Sequence, residues 1–295
     1  MKIILSRKGF DSSNGGVPSP IFPDGRLLSL PIPSVGDKQP LASLRHDGID
    51  LAQLASDLTG GRINGRTNVH LDPDLSADIT QRGRGWRAAF GQSGAAQRHL
   101  INNGVDSRDL FLFYGWFRAV EAVGGRFRFV RGAPDLHVIY GWLQVAEAWR
   151  VADTRTELLS KHPALAAHPH LASRQKYSRP AHILNTVYVA ADNLSLGEQR
   201  KLKGRGAGVF TACTPDRVLT KQGMTRRFWR LPKWMMPSMG RPPLSYHKSP
   251  DAWTPSADHV ELRSACIGQE FVLDCEHYPE GIAWAYEMIR HEPRH

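Results

Sequence analysis

Asp109-Leu110-Phe111-Leu112-Phe113-Tyr114-Gly115-Trp116-Phe117 is the stretch on which the fold turns. It is dense in aromatic and aliphatic residues and has the composition of a strand. Downstream, Gly124-Gly125 marks a turn, Arg126-Phe127-Arg128-Phe129 alternates basic with aromatic, and His137 to Val145 reads as a second strand. Asn185 to Ala190 adds another. Upstream, Lys2 to Ser6 reads as a short strand, and Arg26 to Ile32 as one that follows the Pro23-Asp24-Gly25 turn.

Helical spacing is confined to a few segments. Leu51, Leu54, Ala55 and Leu58 share one face, and Gly60-Gly61 supplies a stop. Ala95 to Asn102 ends at Gly104. Thr154 to Ala172 is helix-prone but broken by Pro163 and Pro169. A last helix starts at Pro279 and Glu280 and ends near Arg290 and His291, charges that suit its dipole. Residues 59 to 87 are polar and glycine-rich and read as a long irregular loop. Short strands with few helices predict an α+β fold, a small mixed β-barrel with peripheral helices and long loops. We read one domain over residues 1–295, with the β core at about 85–190 and a basic segment at about 200–235.

The formal charge is +10 and the isoelectric point near 9.8. A domain this basic attracts polyanions, nucleic acid first and a membrane surface second. No basic amphipathic helix supports the membrane reading. No apolar run approaches the ~20 residues of a membrane span, and the opening apolar stretch is cut short by Arg7 and Lys8, too early for a signal peptide. A cytoplasmic protein without a membrane partner is expected. Cys213, Cys266 and Cys275 form no C-x-x-C pair and, being odd in number, no disulfide framework. Buried free thiols are the plain reading, with Cys213 the one to test as a nucleophile.

Two segments carry candidate chemistry. The loop after the first strand, Ser6-Arg7-Lys8-Gly9-Phe10-Asp11-Ser12-Ser13-Asn14-Gly15-Gly16, offers Lys8, Asp11, Ser12 and Asn14 within seven residues. A lysine with a depressed pKa could act as a base, Asp11 could orient it or accept from a base edge, and glycine N–H groups could hold a phosphate. A solvated, self-capped loop is the plain alternative. In Gly91-Gln92-Ser93-Gly94, Gln92 could bind a base edge and His99, further on, could exchange a proton. The plain reading there is a helix start with Ser93 as cap and His99 on the surface.

Aromatic residues of the strands are mostly core, but Trp116 and Trp142 each follow a glycine and one of them could line a pocket for a base. The basic segment runs from Arg200 through Lys201, Lys203, Arg205, Arg217, Lys221, Arg226, Arg227 and Arg230 to Lys233, interleaved with Phe228, Trp229 and Trp234. That is either a nucleic-acid surface, to which Arg7 would add, or a solvated face. His162, His168 and His170 form one group and His70, Asp72 and Asp74 another. Neither has a standard zinc spacing, so we expect no metal and no cofactor.

The N-terminal loop, with Gly15-Gly16-Val17-Pro18-Ser19-Pro20 and Pro23-Asp24-Gly25, resembles the nucleotide modification associated domain 3 family. So do the stretches Gly91 to Leu100, Asp109 to Phe117 and His137 to Val145, and the likeness covers most of the chain. It implies a place in prokaryotic and phage systems that hypermodify bases in DNA, including phage defence. Asp109 to Tyr114 and Ile139 to Val145 are also similar to the PUA-like group, EVE and ASCH domains included. That likeness implies a PUA-like barrel binding RNA or modified bases, with hydrolysis by a lysine beside a hydroxyl and a carboxylate in some ASCH-type members. Arg108 stands where that pattern has glycine. Taken together, these resemblances imply a hydrolase-type protein acting on a modified base in DNA, a 7-deazaguanine type among the candidates. Lys8, Asp11 and His99 would be catalytic, and Ser12, Asn14, Gln92, Ser93, Trp116 and Trp142 would contact substrate. Arg7, Arg205, Arg226, Arg227 and Arg230 would contact nucleic acid, and other proteins of such a system are possible partners. The alternatives are a non-catalytic reader of modified bases that recruits other enzymes, and an interaction subunit whose basic face meets an acidic protein.

Overall fold

Period-two alternation along the aromatic stretch builds two cores at once. In the computed structural model, which describes residues 1–172, 184–197, 201–266 and 268–292, Leu110, Leu112 and Tyr114 point into one buried cluster. Phe111, Phe113 and Phe117 point into the other. A strand covered on both faces belongs mid-sheet.

The main sheet has nine strands: β1 (Lys2–Arg7), β2 (Ser19–Ile21), β3 (Ala89–Gln92), β4 (Leu110–Val123), β5 (Arg126–Phe129), β6 (Leu136–Arg150), β7 (Thr186–Ala190), β8 (Ala207–Val209) and β9 (Glu270–Asp274). Its order is β9-β1-β4-β6-β7-β3, with β2 and β5 also on β4, and β8 also on β6. β1 runs parallel to β4 and antiparallel to β9, so Ser6 stands opposite both Phe113 and Glu270. β6 slips register between Ile139 and Gly141 and again between Val145 and Glu147. Such bulges bend a strand, and β6 passes from β4 to β7 through them.

Five α-helices are described: α1 (Leu51–Thr59), α2 (Gly94–Asn102), α3 (Val151–Lys161), α4 (Pro169–Ala172) and α5 (Glu280–Arg290). Asp50 caps α1 and Gly60 ends it in the left-handed conformation. Pro163 opens a 3-10 turn and Pro169 opens α4, so the helix-prone stretch is divided where its prolines fall. Among the described residues no helix is long and apolar enough to cross a membrane.

The architecture is α+β and mostly sheet, as expected, but no closed barrel is found. Among the described residues no backbone ladder joins the terminal strands β3 and β9. They are bridged by side chains, Gln92 Nε2 donating to Glu270 Oε1 at 2.5 Å, with α2 packed beside β9. Arg26 to Ile32 is not a strand either. Arg26 and Leu27 make only isolated bridges, to Ala212 and Ile21, and Ile32 opens a separate two-residue strand, Ile32–Pro33.

Arg108 adopts a backbone geometry that favours glycine. Its φ is 73°, the left-handed region that costs an ordinary residue about 1–2 kcal/mol. The turn is held in place by Arg108 N donating to Val145 O at 2.7 Å, while the side chain is exposed. Arg108→Gly should therefore stabilise the protein by about 0.5–1 kcal/mol after the extra entropy of an unfolded glycine is counted. Urea unfolding of the two proteins measures this, and an unchanged or lower midpoint contradicts it.

Candidate functional site

At the carboxyl end of β1 consecutive residues leave on opposite faces of the sheet. Arg7 turns toward His137 and Trp116, and Lys8 toward Phe90 and Glu270. Gly115 makes room for this exit, since a Cβ there would stand 2.8 Å from the Lys8 carbonyl oxygen. The loop then folds on itself. Asp11 Oδ1 accepts from the N–H groups of Ser13 (2.8 Å) and Asn14 (2.6 Å) and from Asn14 Nδ2 (3.2 Å). Gly16 N–H donates to the Asp11 carbonyl. Asp11 and Asn14 thus shape the loop, and they do not meet Lys8.

Lys8 meets two other candidates through a residue the sequence did not single out. Its ammonium lies 2.8 Å from Glu270 Oε1 and 4.9 Å from the centre of the Phe90 ring. Gln92 donates to the same oxygen. The Lys8 side chain is one-tenth exposed and that of Glu270 fully buried. Glu270 Oε2 and Ser6 Oγ are buried with no hydrogen-bond partner among the described residues. His99 borders this group. Its Nε2 bonds Ser245 Oγ at 2.9 Å, its ring lies against Tyr246, and burial lowers its pKa against the pull of Glu270. Ser93 is the N-cap of α2. The two glycine-bearing loops therefore do meet, at Glu270.

On the other face the loop walls a recess of about 330 Å³ with Arg7, Ser12, Trp116, His137, Arg226 and Arg227. The Arg226 guanidinium sits 3.9 Å from the centre of the Trp116 ring and donates to Ser12 Oγ at 2.8 Å. Trp116 is itself oriented by its Nε1 bond to Asp135 (2.7 Å). Partial burial lowers the Arg226 pKa, Asp135 opposing and Arg7 adding to the effect. His137 is pushed down to about 3, by burial first and then by Arg226 and Arg7. Cys266, exposed, lies on the same recess.

The remaining candidates lie elsewhere. Trp142 is core: it packs on Phe210 and donates Nε1 to the Arg205 carbonyl. Arg205 caps α5, donating to the Ile289 and Arg290 carbonyls. Arg217 is buried against Glu292, Lys221 pairs with Glu261 and Arg230 with Asp258. Trp229 is fully buried. Arg205 and Arg217 thus serve the fold, and Arg226 and Arg227 alone among the segment's described members line the recess, while Arg200 lies outside the described residues. Burial raises the Cys213 pKa, the opposite of an activated thiol.

A second polar cluster joins the two histidine groups that the sequence shows as separate. His70, Asp72, His168 and His170 are all buried around the outer edge of β3. His70 Nδ1 lies 2.9 Å from Asp37 Oδ2, His170 Nδ1 lies 2.6 Å from Asn185 Oδ1, and Gly91 N–H donates to Asp72 Oδ1 at 2.7 Å. Burial works to raise the Asp72 carboxyl, but the His168 contact and the charges of His170, His168 and His70 pull it down to about 2. Asp72 and Gly9 wall a small cavity of about 50 Å³.

Residues 2–274 match the family model described as nucleotide modification associated domain 3. No curated protein and no solved structure matches the chain.

Two outcomes follow from this geometry. Lys8→Met strands a buried carboxylate and should cost about 3–5 kcal/mol in urea unfolding, most of it recovered in the double variant Lys8→Met/Glu270→Gln. Equal losses in the single and double variants would show that the pair is not coupled. The unfolded chain protonates His137 near pH 6.5 but the fold resists until about 3, so this group makes stability fall as pH drops through that window. In NMR the His137 ring should stay neutral down to pH 4, and titration near 6.5 would contradict its burial.

Proposed function

This chain belongs to the nucleotide modification associated domain 3 family, and we propose that it engages nucleic acid carrying a modified base through the recess of Arg7, Trp116 and Arg226. Membership gives the chain a role in DNA nucleotide modification systems. The observation that carries the finer reading is the Arg226 guanidinium, stacked on Trp116 and aimed by Ser12, with Arg7 and Arg227 beside it. Guanidinium groups fixed in this way suit phosphate, and rings and guanidinium planes suit unstacked bases. The volume falls in the range of about 300–1,000 Å³ typical of small-molecule sites and holds one nucleotide.

Recognition is the function this recess supports best. Hydrolysis needs a base or nucleophile aimed into it. Yet Asp11 Oδ1 is engaged by its own loop, and His137 accepts on Nδ1 from Trp229 and resists protonation. A specific observation favours catalysis as a second reading. Beside Lys8, Glu270 Oε2 and Ser6 Oγ are buried without partners among the described residues, which suits a bound polar group. That chemistry would be removal of a base substituent, with Lys8 and Glu270 exchanging protons.

Binding to single-stranded oligonucleotides with and without a 7-deazaguanine-type base, followed by anisotropy across a salt series, tests the reading. Arg7→Ala and Arg226→Ala should each weaken binding and reduce the salt slope by about 1, and Trp116→Ala should cost about 1–3 kcal/mol. Arg205→Gln and Arg230→Gln should leave the slope unchanged. Alkylation of Cys266 should slow when oligonucleotide is bound. Slopes that respond to Arg230 but not to Arg226 would move the surface away from the recess. Nucleoside masses that change with time, and stop changing in Glu270→Gln, would favour hydrolysis.

A further inference from the structure

We propose that His70, Asp72 and His170 form a binding site for a first-row divalent transition-metal ion, with His70 Nε2, His170 Nε2 and Asp72 Oδ2 as its ligands. The three residues bring donor atoms within 4.8 Å of one another. His70 Nε2 stands 4.0 Å and His170 Nε2 3.8 Å from Asp72 Oδ2. Donors bonded at roughly 2.0–2.2 Å in a tetrahedron stand about 3.4 Å apart, so each histidine-to-aspartate separation needs to close by about half an ångström around an ion.

The outer contacts orient the set. Asn185 Nδ2 donates to the His170 carbonyl at 2.9 Å, which turns Asn185 Oδ1 toward His170 Nδ1 and makes that nitrogen the donor. Asp37 does the same for His70 Nδ1. Each imidazole then directs Nε2 at Asp72 Oδ2. Histidine with its second nitrogen on a carboxylate or amide oxygen is the usual support of a bound metal. The carboxylate is fixed too, since Asp72 Oδ1 accepts from Gly91 N–H. His168 belongs to the support: its Nδ1 accepts from His170 N–H, and its Nε2 stands 3.3 Å from Asp72 Oδ1. Gly91 permits the assembly, because a Cβ there would lie 2.2 Å from the His170 ring.

Two imidazoles and one carboxylate suit zinc, iron, cobalt or nickel rather than magnesium or calcium, and leave coordination positions open. None of the three ligands lines the recess of Arg7, Trp116 and Arg226, and the inference does not depend on that recess.

Full-length protein stripped with a chelator is titrated with Co(II) and with Zn(II), and bound metal is counted by mass spectrometry. One equivalent per chain is expected, with a Co(II) visible spectrum showing nitrogen and oxygen ligands. Asp72→Asn should abolish it, and Asp37→Asn should weaken affinity by about 10–100-fold. Arg226→Ala should leave it unchanged. Because a variant in this cluster can fail to fold, anomalous diffraction from metal-loaded wild-type protein locates the ion independently. A peak among His70, Asp72 and His170 supports the site. No bound equivalent, or a peak elsewhere, overturns it.

Discussion

A carboxylate with no exposed surface, Glu270, ties the laddered pair of β1 and β9 to β3, a strand that no backbone ladder joins to either of them among the described residues. It opens β9, takes the Lys8 ammonium from the end of β1, and takes the Gln92 amide from the end of β3, 178 residues away in sequence. A buried charge is tolerated only when paired and hydrogen-bonded. Here the pairing also sets the curl of the sheet, since the two terminal strands must approach for one oxygen to serve both donors. The N-terminal loop leaves the sheet at Lys8, so its position over the recess depends on the same junction.

Strand alternation then separates the charges. Arg7 and Lys8 are neighbours in the chain, but one serves an open cationic recess and the other a buried ion pair. A slip of one residue in β1 that carried Arg7 to the Glu270 face would leave Ser6 facing the recess. The register is protected from both sides by the ladders to β4 and β9. This explains why a loop that reads as one compact set of polar residues does two unrelated jobs. Asp11 and Ser12 line the recess and Asn14 is bonded to Asp11, while Lys8 pairs with Glu270.

Much of the fold is legible in the sequence because it rests on local pattern. The two-faced apolar run of β4, the spacing in α1 and the capped terminal helix are each encoded within a dozen residues. The predicted barrel is not found, and the sequence could not decide it, because closure depends on how far a bulged β6 bends, which no local pattern specifies. In the candidate site, Lys8, Gln92 and His99 stand out as residue types, but their common partner Glu270 lies in an ordinary apolar strand with nothing local to mark it. Trp142 and Arg205 show the opposite failure. A glycine-tryptophan pair and a basic run look functional, yet the tryptophan fills a core and the arginine caps a helix. Side-chain destination, not type, decides, and destination is set by contacts distant in sequence.

The histidine cluster has a second physical role that follows from its place on the sheet. β3 is a terminal strand, and an open strand edge exposes unpaired N–H groups that invite another chain. Gly91 pairs inward with Val187 of β7 and gives its N–H outward to Asp72, while the His170 ring covers the strand where a side chain would otherwise stand. The edge is thus closed by the same carboxylate around which the histidines gather. The next residue, Gln92, reaches across to Glu270. Two buried carboxylates therefore grip adjacent residues of one short strand from opposite sides. On the outer flank Asp74 also exchanges two backbone hydrogen bonds with Ala89, so the edge of β3 is covered where the sheet stops.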